Sequence, residues 1–182
     1  MPGELPRFLV EPLAQRHKVD AFDCGNSVLN DYLRRYASQN VRSRYGRTYV
    51  YCTDIDEAGV AVSVAGYYTL SMSAIALANC PPDLVRRMPR YPVPAVHLGC
   101  LAVDKASQGK GIGRYLLLDA MSRALAAAEV VAARVLEVKA IDESARSFYL
   151  KYDFKSFIDN PAHLFIPLDT IRPLGLISAT GD

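Results

Sequence analysis

Several kinds of residue and motif are scarce in this chain, and each scarcity excludes something. Only three histidines and four cysteines occur in 182 residues. The cysteines, Cys24, Cys52, Cys80 and Cys100, are widely spaced and form no C-x-x-C pair. A zinc site, or any other metal centre, is therefore not expected. Scattered thiols without a disulfide framework fit a reducing compartment, and each is expected to be a buried small hydrophobe. No window is apolar over the length of a membrane span, and residues 1–16 carry no long apolar segment. A cytoplasmic location without membrane attachment follows as the expectation. Charge of one sign is also missing, since 21 Lys and Arg stand against 19 Asp and Glu, for a net charge of +2. No global field announces a polyanion, so local clustering must carry that argument. Two familiar nucleotide motifs are absent. No G-x-x-x-x-G-K-[ST] run exists, and Gly109-x-Gly111 is followed by Arg114 where a dinucleotide fingerprint needs its third glycine.

What is present suits a globular protein: 51% hydrophobic and 22% charged residues. The length fits one domain over residues 1–182 with a real core. No internal repeat, low-complexity segment or interdomain linker interrupts it. Arg7–Glu11 reads as a first strand closed by Pro12. Asp23–Ser27 is a turn rich in N-cap residues, followed by a helix over Val28–Arg44. Its stripe is Leu29, Tyr32, Leu33, Tyr36, Ala37 and Val41, and Gly46 is placed to end it. Arg47–Thr53 and Val60–Ser73 are strand patterns joined by a hairpin-like segment, with Gly66 marking a bulge or a close approach. Residues 79–94 hold five of the eleven prolines and form a loop, with a helical turn at Asp83–Met88. A core strand over Val96–Val103 leads to the glycine turn. The helix from Gly111 to about Ala133 buries a broad face ending at Val131. Val135–Ala140 is a strand, Glu143–Tyr152 a helix capped by Asp142, and Lys155–Ile158 and Leu164–Leu168 are two late strands. The alternation predicts an α/β fold with a mixed sheet.

The most informative segment is Gln108-Gly109-Lys110-Gly111-Ile112-Gly113, with Arg114 opening the helix. A strand, a glycine turn and a helix in that order cradle an anion. The first N–H groups of a helix have no intrahelical partner, and the helix dipole adds positive charge there. Glycine lets a diphosphate approach the backbone. The alternative is a glycine-rich turn without a ligand.

The pattern Gln-x-x-Gly-x-Gly, read as Gln108, Gly111 and Gly113, resembles the acetyl-CoA loop of the GNAT superfamily of N-acyltransferases. The order of elements resembles the GNAT fold along nearly the whole chain, a mixed central sheet flanked by helices. The run Asp142–Tyr149 is similar to the family's late helix, in which an Ala precedes a Tyr by four residues. Four segments resemble more narrowly the GNAT toxins of type II toxin–antitoxin modules. They are Phe22–Leu33, Gly66–Ser71, Leu101–Asp104 and Pro161–Leu168. In one departure, Cys100 stands where many members carry a basic residue.

The resemblance implies an acetyl-CoA-dependent N-acetyltransferase that acetylates the α-amine of aminoacyl-tRNA and blocks translation. It implies a ribbon-helix-helix antitoxin encoded nearby as partner. The other reading is a GNAT enzyme acetylating a small-molecule or protein amine. The implied donor site is Leu101, Ala102 and Val103 along the pantetheine arm, with Gln108, Gly109, Lys110, Gly111, Ile112, Gly113 and Arg114 at the pyrophosphate. Tyr149 is the implied general acid for the leaving thiolate, against a reading in which its ring only packs beside Phe148 and Tyr152. His97 reads as a structural histidine and Asp104 as a cap of the loop. Arg34 and Arg35, within a cluster reaching Arg47, and Arg86 and Arg87 in the proline-rich loop are candidate tRNA contacts. Arginine suits phosphate through its planar fork, and interleaved tyrosines can stack on unpaired bases. The competing reading is a solvated helix face. An exposed late strand could support a homodimer.

Overall fold

The computed structural model describes residues 10–54, 56–60 and 62–171. Of the expected first strand, residues 7–9 lie outside the described residues, and Val10–Pro12 form β1. The other strands are β2 (Arg47–Cys52), β3 (Val64–Ile75), β4 (Val93–Val103), β5 (Val135–Lys139), β6 (Lys155–Ser156) and β7 (His163–Pro167). They form a seven-stranded sheet in the order β1-β2-β3-β4-β5-β7-β6. The mixed sheet arises at one place. β4 and β5 pair in parallel from Ala95↔Val135 to Leu98↔Val138, and helix α4 (Ile112–Val130) lies in the crossover that such a pair requires. The other helices are α1 (Ser27–Asp31), α2 (Ala37–Arg42), α3 (Pro82–Val85), α5 (Glu143–Leu150) and α6 (Leu168–Ile171).

The contacts group into two compact units. One runs to Leu70 and adds Cys100–Ala120; the other comprises Ser71–Gly99 and the chain from Met121 on. In the first, Phe22, Leu33, Ala37, Val50 and Tyr67 form a buried cluster with Ala102. In the second, Ile75, Leu84, Val93, Phe157 and Phe165 do so. Full burial of a Leu or Phe stabilises by about 1.5–3 kcal/mol.

The first helix departs from expectation. Asn26 caps it, its side chain accepting from the N–H of Val28 and of Leu29. The helix is not continuous to Arg44, because Tyr32–Tyr36 winds as a π-turn before α2 begins. The extra residue shifts the register, so Leu33 and Ala37 are buried while Tyr36, placed on the apolar stripe, is 53% exposed. Nor does Gly46 supply the left-handed stop. Arg44 takes it, at φ 58°, and Tyr45 N–H closes on the Asn40 carbonyl at 2.9 Å.

β3 starts at Val64 rather than Val60, because the Asp56 carboxylate accepts the N–H groups of Ala58 at 2.9 Å and Val60 at 2.8 Å and holds Val60 in the turn. A 3-10 turn at Leu77–Asn79 leads into the proline-rich segment, whose helical turn is Pro82–Val85 rather than Asp83–Met88. α4 stops at Val130, which leaves Val131 exposed instead of in the buried face. α5 ends at Leu150, since Tyr152 N–H turns back to the Tyr149 carbonyl and Asp153 adopts φ 64°. Gly66 does mark a close approach. A Cβ there would lie 2.9 Å from Leu116 Cδ1 and 3.2 Å from the Ala102 carbonyl oxygen. The pairing of β2 with β3 shifts register beside it, between Tyr51 and Cys52.

Candidate functional site

In the first unit, β4 delivers the chain to the glycine turn. Leu101 and Val103 are half-buried and Ala102 buried, beyond the last pair with β5 at Leu98↔Val138. Asp104 then caps a 3-10 turn, Lys105–Ser107, by accepting the Ala106 N–H at 2.9 Å. Gln108 folds back, its Nε2 donating to the Val103 carbonyl at 2.9 Å. Lys110 Nζ donates to the Ala106 carbonyl at 3.0 Å.

Gly109 and Gly111 adopt φ 76° and 82°, and a Cβ at either would meet no atom within 4 Å. Glycine is therefore required by backbone conformation and not by packing. Tyr115 N–H bonds to the Gly111 carbonyl at 3.1 Å, where the helical ladder takes up. The N–H groups of Ile112, Gly113 and Arg114 precede it at the positive end of α4, itself 19 residues long. The loop thus brings together all the residues expected there, Gln108 to Arg114, next to Leu101–Val103.

Tyr149, in the second unit, is 5% exposed. Its ring packs edge-on to Phe148 at 5.3 Å and against Phe154 at 5.4 Å. The ring packing weighed for Tyr149 is present. It fixes the orientation of the ring.

The same unit holds a network that sequence reasoning missed. Glu137 on β5 is 3% exposed. Its Oε1 accepts from Ser73 Oγ at 2.8 Å and pairs with His97 Nδ1 at 2.7 Å, while Oε2 pairs with His163 Nε2 at 2.7 Å. Burial opposes the charge of Glu137, but the bonds from His97, Ser73 and His163 outweigh it and hold the carboxyl below its ordinary range. His97 is structural in this sense, with its side chain 29% exposed.

The arginines are placed as follows. Arg34 and Arg35 lie on the π-turn, both exposed. Arg34 donates to the Phe22 carbonyl, and Arg35 stands 3.8 Å from Asp31. Arg86 and Arg87 follow α3, exposed, with Arg87 at φ 65°.

Of the cysteines, Cys52 and Cys80 are buried, while Cys24 and Cys100 are only half-buried. Burial pushes the Cys52 thiol up to about 12. Cys52, Glu11 and His17 place one ligand-type atom each within 4.8 Å of one another. However, His17 Nδ1 accepts the Ala14 N–H at 2.9 Å. The proton then sits on Nε2, 2.8 Å from Glu11, and that nitrogen has no lone pair to offer a cation. Among the described residues, no helix is long and apolar enough to cross a membrane.

Comparison with known proteins agrees with this geometry. The acetyltransferase (GNAT) domain family matches residues 45–156. A tRNA-acetylating toxin of Mycobacterium tuberculosis (strain ATCC 25618 / H37Rv) is 36% identical over 156 residues, 86% of this chain and 89% of that protein. The structure of AtaT complexed with acetyl-methionyl-tRNAfMet superposes with a TM-score of 0.83 at 31% identity, covering 91% of this chain and 98% of that one. A tyrosine-to-phenylalanine mutant of AtaT, bound to acetyl-CoA and the C-terminus of the antitoxin AtaR, gives 0.75 at 29% identity, covering 91% and 96%. With its glycine turn at the start of α4, its seven-stranded mixed sheet and these relatives, the chain belongs to the GNAT acetyltransferases, in the group of the tRNA-acetylating toxins.

Proposed function

We propose that this chain, as one domain over residues 1–182, transfers acetyl from acetyl-CoA to the α-amine of aminoacyl-tRNA and so stops translation. The donor's pyrophosphate takes the N–H groups of Gly109 to Arg114, and its pantetheine arm runs along Leu101–Val103. A backbone N–H of that strand polarises the thioester carbonyl. An α-amine has a pKa of about 7.7–8.0, so much of it is neutral near pH 7.5 without a strong base. Alignment of amine and thioester then supplies most of the rate. Tyr149 gives its proton to the departing thiolate. Arg34, Arg35, Arg86 and Arg87 take tRNA phosphates.

The observation that carries the substrate class is the likeness to AtaT, solved with acetyl-methionyl-tRNAfMet. The partner is a small ribbon-helix-helix antitoxin whose tail folds on the toxin, in keeping with the AtaT complex that holds the C-terminus of AtaR. The protein acts in the cytoplasm, where charged tRNA is found. The test is incubation with labelled acetyl-CoA and total charged tRNA, followed by ribonuclease digestion. Label on the aminoacyl-adenosine fragment is the expected result. Label confined to small amines or to protein would replace this reading with the other one.

A further inference from the structure

We infer that the turn at Asp23–Gly25 is a splint for the acetyl-CoA loop, and that Asp23 is a positioning residue for donor binding. The inference rests on the donor reading of the loop given above. A Cβ at Gly109 or Gly111 would meet no atom within 4 Å, so packing over these two glycines does not set their conformation. A loose glycine loop would be ordered only on binding, at a cost in affinity. The constraint enters through its base, Asp104–Gln108, where Asp104, Lys105 and Gln108 each reach the Asp23 turn, 81 residues earlier for the Asp23–Asp104 bond.

Asp104 Oδ2 accepts the Asp23 N–H at 2.9 Å. The Lys105 N–H donates to the Asp23 carbonyl at 2.8 Å, and Lys105 Nζ lies 3.0 Å from Asp23 Oδ2. Gln108 Nε2 spans from the Val103 carbonyl to the Cys24 carbonyl, at 3.2 Å from the latter. The turn is itself held rigid. Asp23 Oδ1 accepts the Gly25 N–H at 2.9 Å and Asn30 Nδ2 at 2.8 Å. Asn30, buried on α1, accepts the Cys24 N–H in return at 2.9 Å. Gly25 sits at φ 88°, and a Cβ there would come 3.1 Å from Lys105 Cε.

Magnitudes separate a local role from a global one. The Asp23–Lys105 pair is about half-exposed on both sides, and such pairs add little to stability. What they do fix is conformation. The Gly25 N–H, Asn30 and Lys105 together hold the Asp23 carboxyl at about 2, so the acceptor is fully charged wherever the enzyme works.

The test compares parent, Asp23→Ala, Asp23→Asn and Gly111→Asp by calorimetric titration with acetyl-CoA, by melting temperature, and by kcat at saturating donor. Asp23→Ala is expected to weaken acetyl-CoA binding about tenfold while kcat stays within about twofold. Asp23→Asn keeps an oxygen for Gly25 and Asn30 and should retain affinity within about threefold. Gly111→Asp should not bind. Parent-like affinity in Asp23→Ala, with binding lost in Gly111→Asp, overturns the splint and leaves the donor site standing. A fall in kcat without a change in affinity overturns it equally. Parent-like binding by Gly111→Asp would instead overturn the donor reading of the loop. Should Asp23→Ala fail to fold, Asp104→Asn weakens the acceptor for the Asp23 N–H with little change of shape. It is expected to lose affinity by about threefold, and unchanged affinity there also overturns the inference.

Discussion

Two buried side chains carry charge or protons in the second unit, and their surroundings set what each substitution should do. Tyr149→Phe keeps the ring that packs on Phe148 and Phe154 and deletes only the hydroxyl proposed as proton donor. Turnover should fall by roughly 10²–10⁴-fold with little change in acetyl-CoA affinity. Pre-steady-state acetyl transfer is the measurement, and an unchanged rate would assign protonation of the thiolate to another group. The Glu137 network bears on stability through its charge. Its carboxyl is held below the ordinary range by His97, Ser73 and His163 against the effect of burial. A lowered native value means that its contribution is complete above the unfolded value, about 4.3. The contribution is lost as pH falls through the native value. Melting temperature should therefore drop on acidification below about pH 4.3. Glu137→Gln, which turns a donor toward one of its three partners, should cost about 1–3 kcal/mol at pH 7. It should also flatten the acid limb of that profile. Equal acid sensitivity in parent and mutant would place the responsible carboxylate elsewhere, as in the Glu11–His17 pair.

Among the elements, the π-turn at Tyr32–Tyr36 and the segment after α3 both present exposed arginines. Tyr36 is exposed on the π-turn with Arg34 and Arg35, residue types that stack on and pair with single-stranded RNA. Arg34, Arg35, Arg86 and Arg87 changed together to Ala should weaken tRNA binding and flatten its dependence on salt, with acetyl-CoA binding spared. Fluorescence anisotropy across a salt series measures this, and a slope equal to the parent's would put the RNA elsewhere. Elements shaped by neighbours in sequence were legible beforehand. Asn26 and Asp142 cap as their types demand, because capping involves only the next three residues. The glycine turn was legible because strand, turn and helix follow one another directly. The π-turn was not, since an apolar stripe at helical spacing gives no sign of one inserted residue. The Glu137 network was also hidden. Its members at positions 73, 97, 137 and 163 meet only through the order of strands in the sheet. The same is true of the Asp23 turn, whose motif was visible but whose contacts with Asp104–Gln108 were not.

For the molecule as a whole, the fold and family lead to a prediction in the cell. Expression alone should arrest growth, while Tyr149→Phe and co-expression of the antitoxin should each relieve the arrest. Growth curves with quantified soluble protein decide the matter. Normal growth with abundant acetyl-CoA-binding protein would favour an enzyme for small amines. The strand order has a separate consequence, for synthesis. β7 comes last in sequence among the described strands, yet it lies inside the sheet, between β5 and β6. β5 pairs along its whole length with β7, from Val135↔Pro167 to Lys139↔His163, and β6 also pairs with β7. On the ribosome, β2 and β3 can zip up early as a local hairpin, while β5 and β6 have no shared neighbour until His163–Pro167 emerges. A nascent chain whose activity stops translation therefore stays unfinished, and harmless, until nearly all of its described length has been translated.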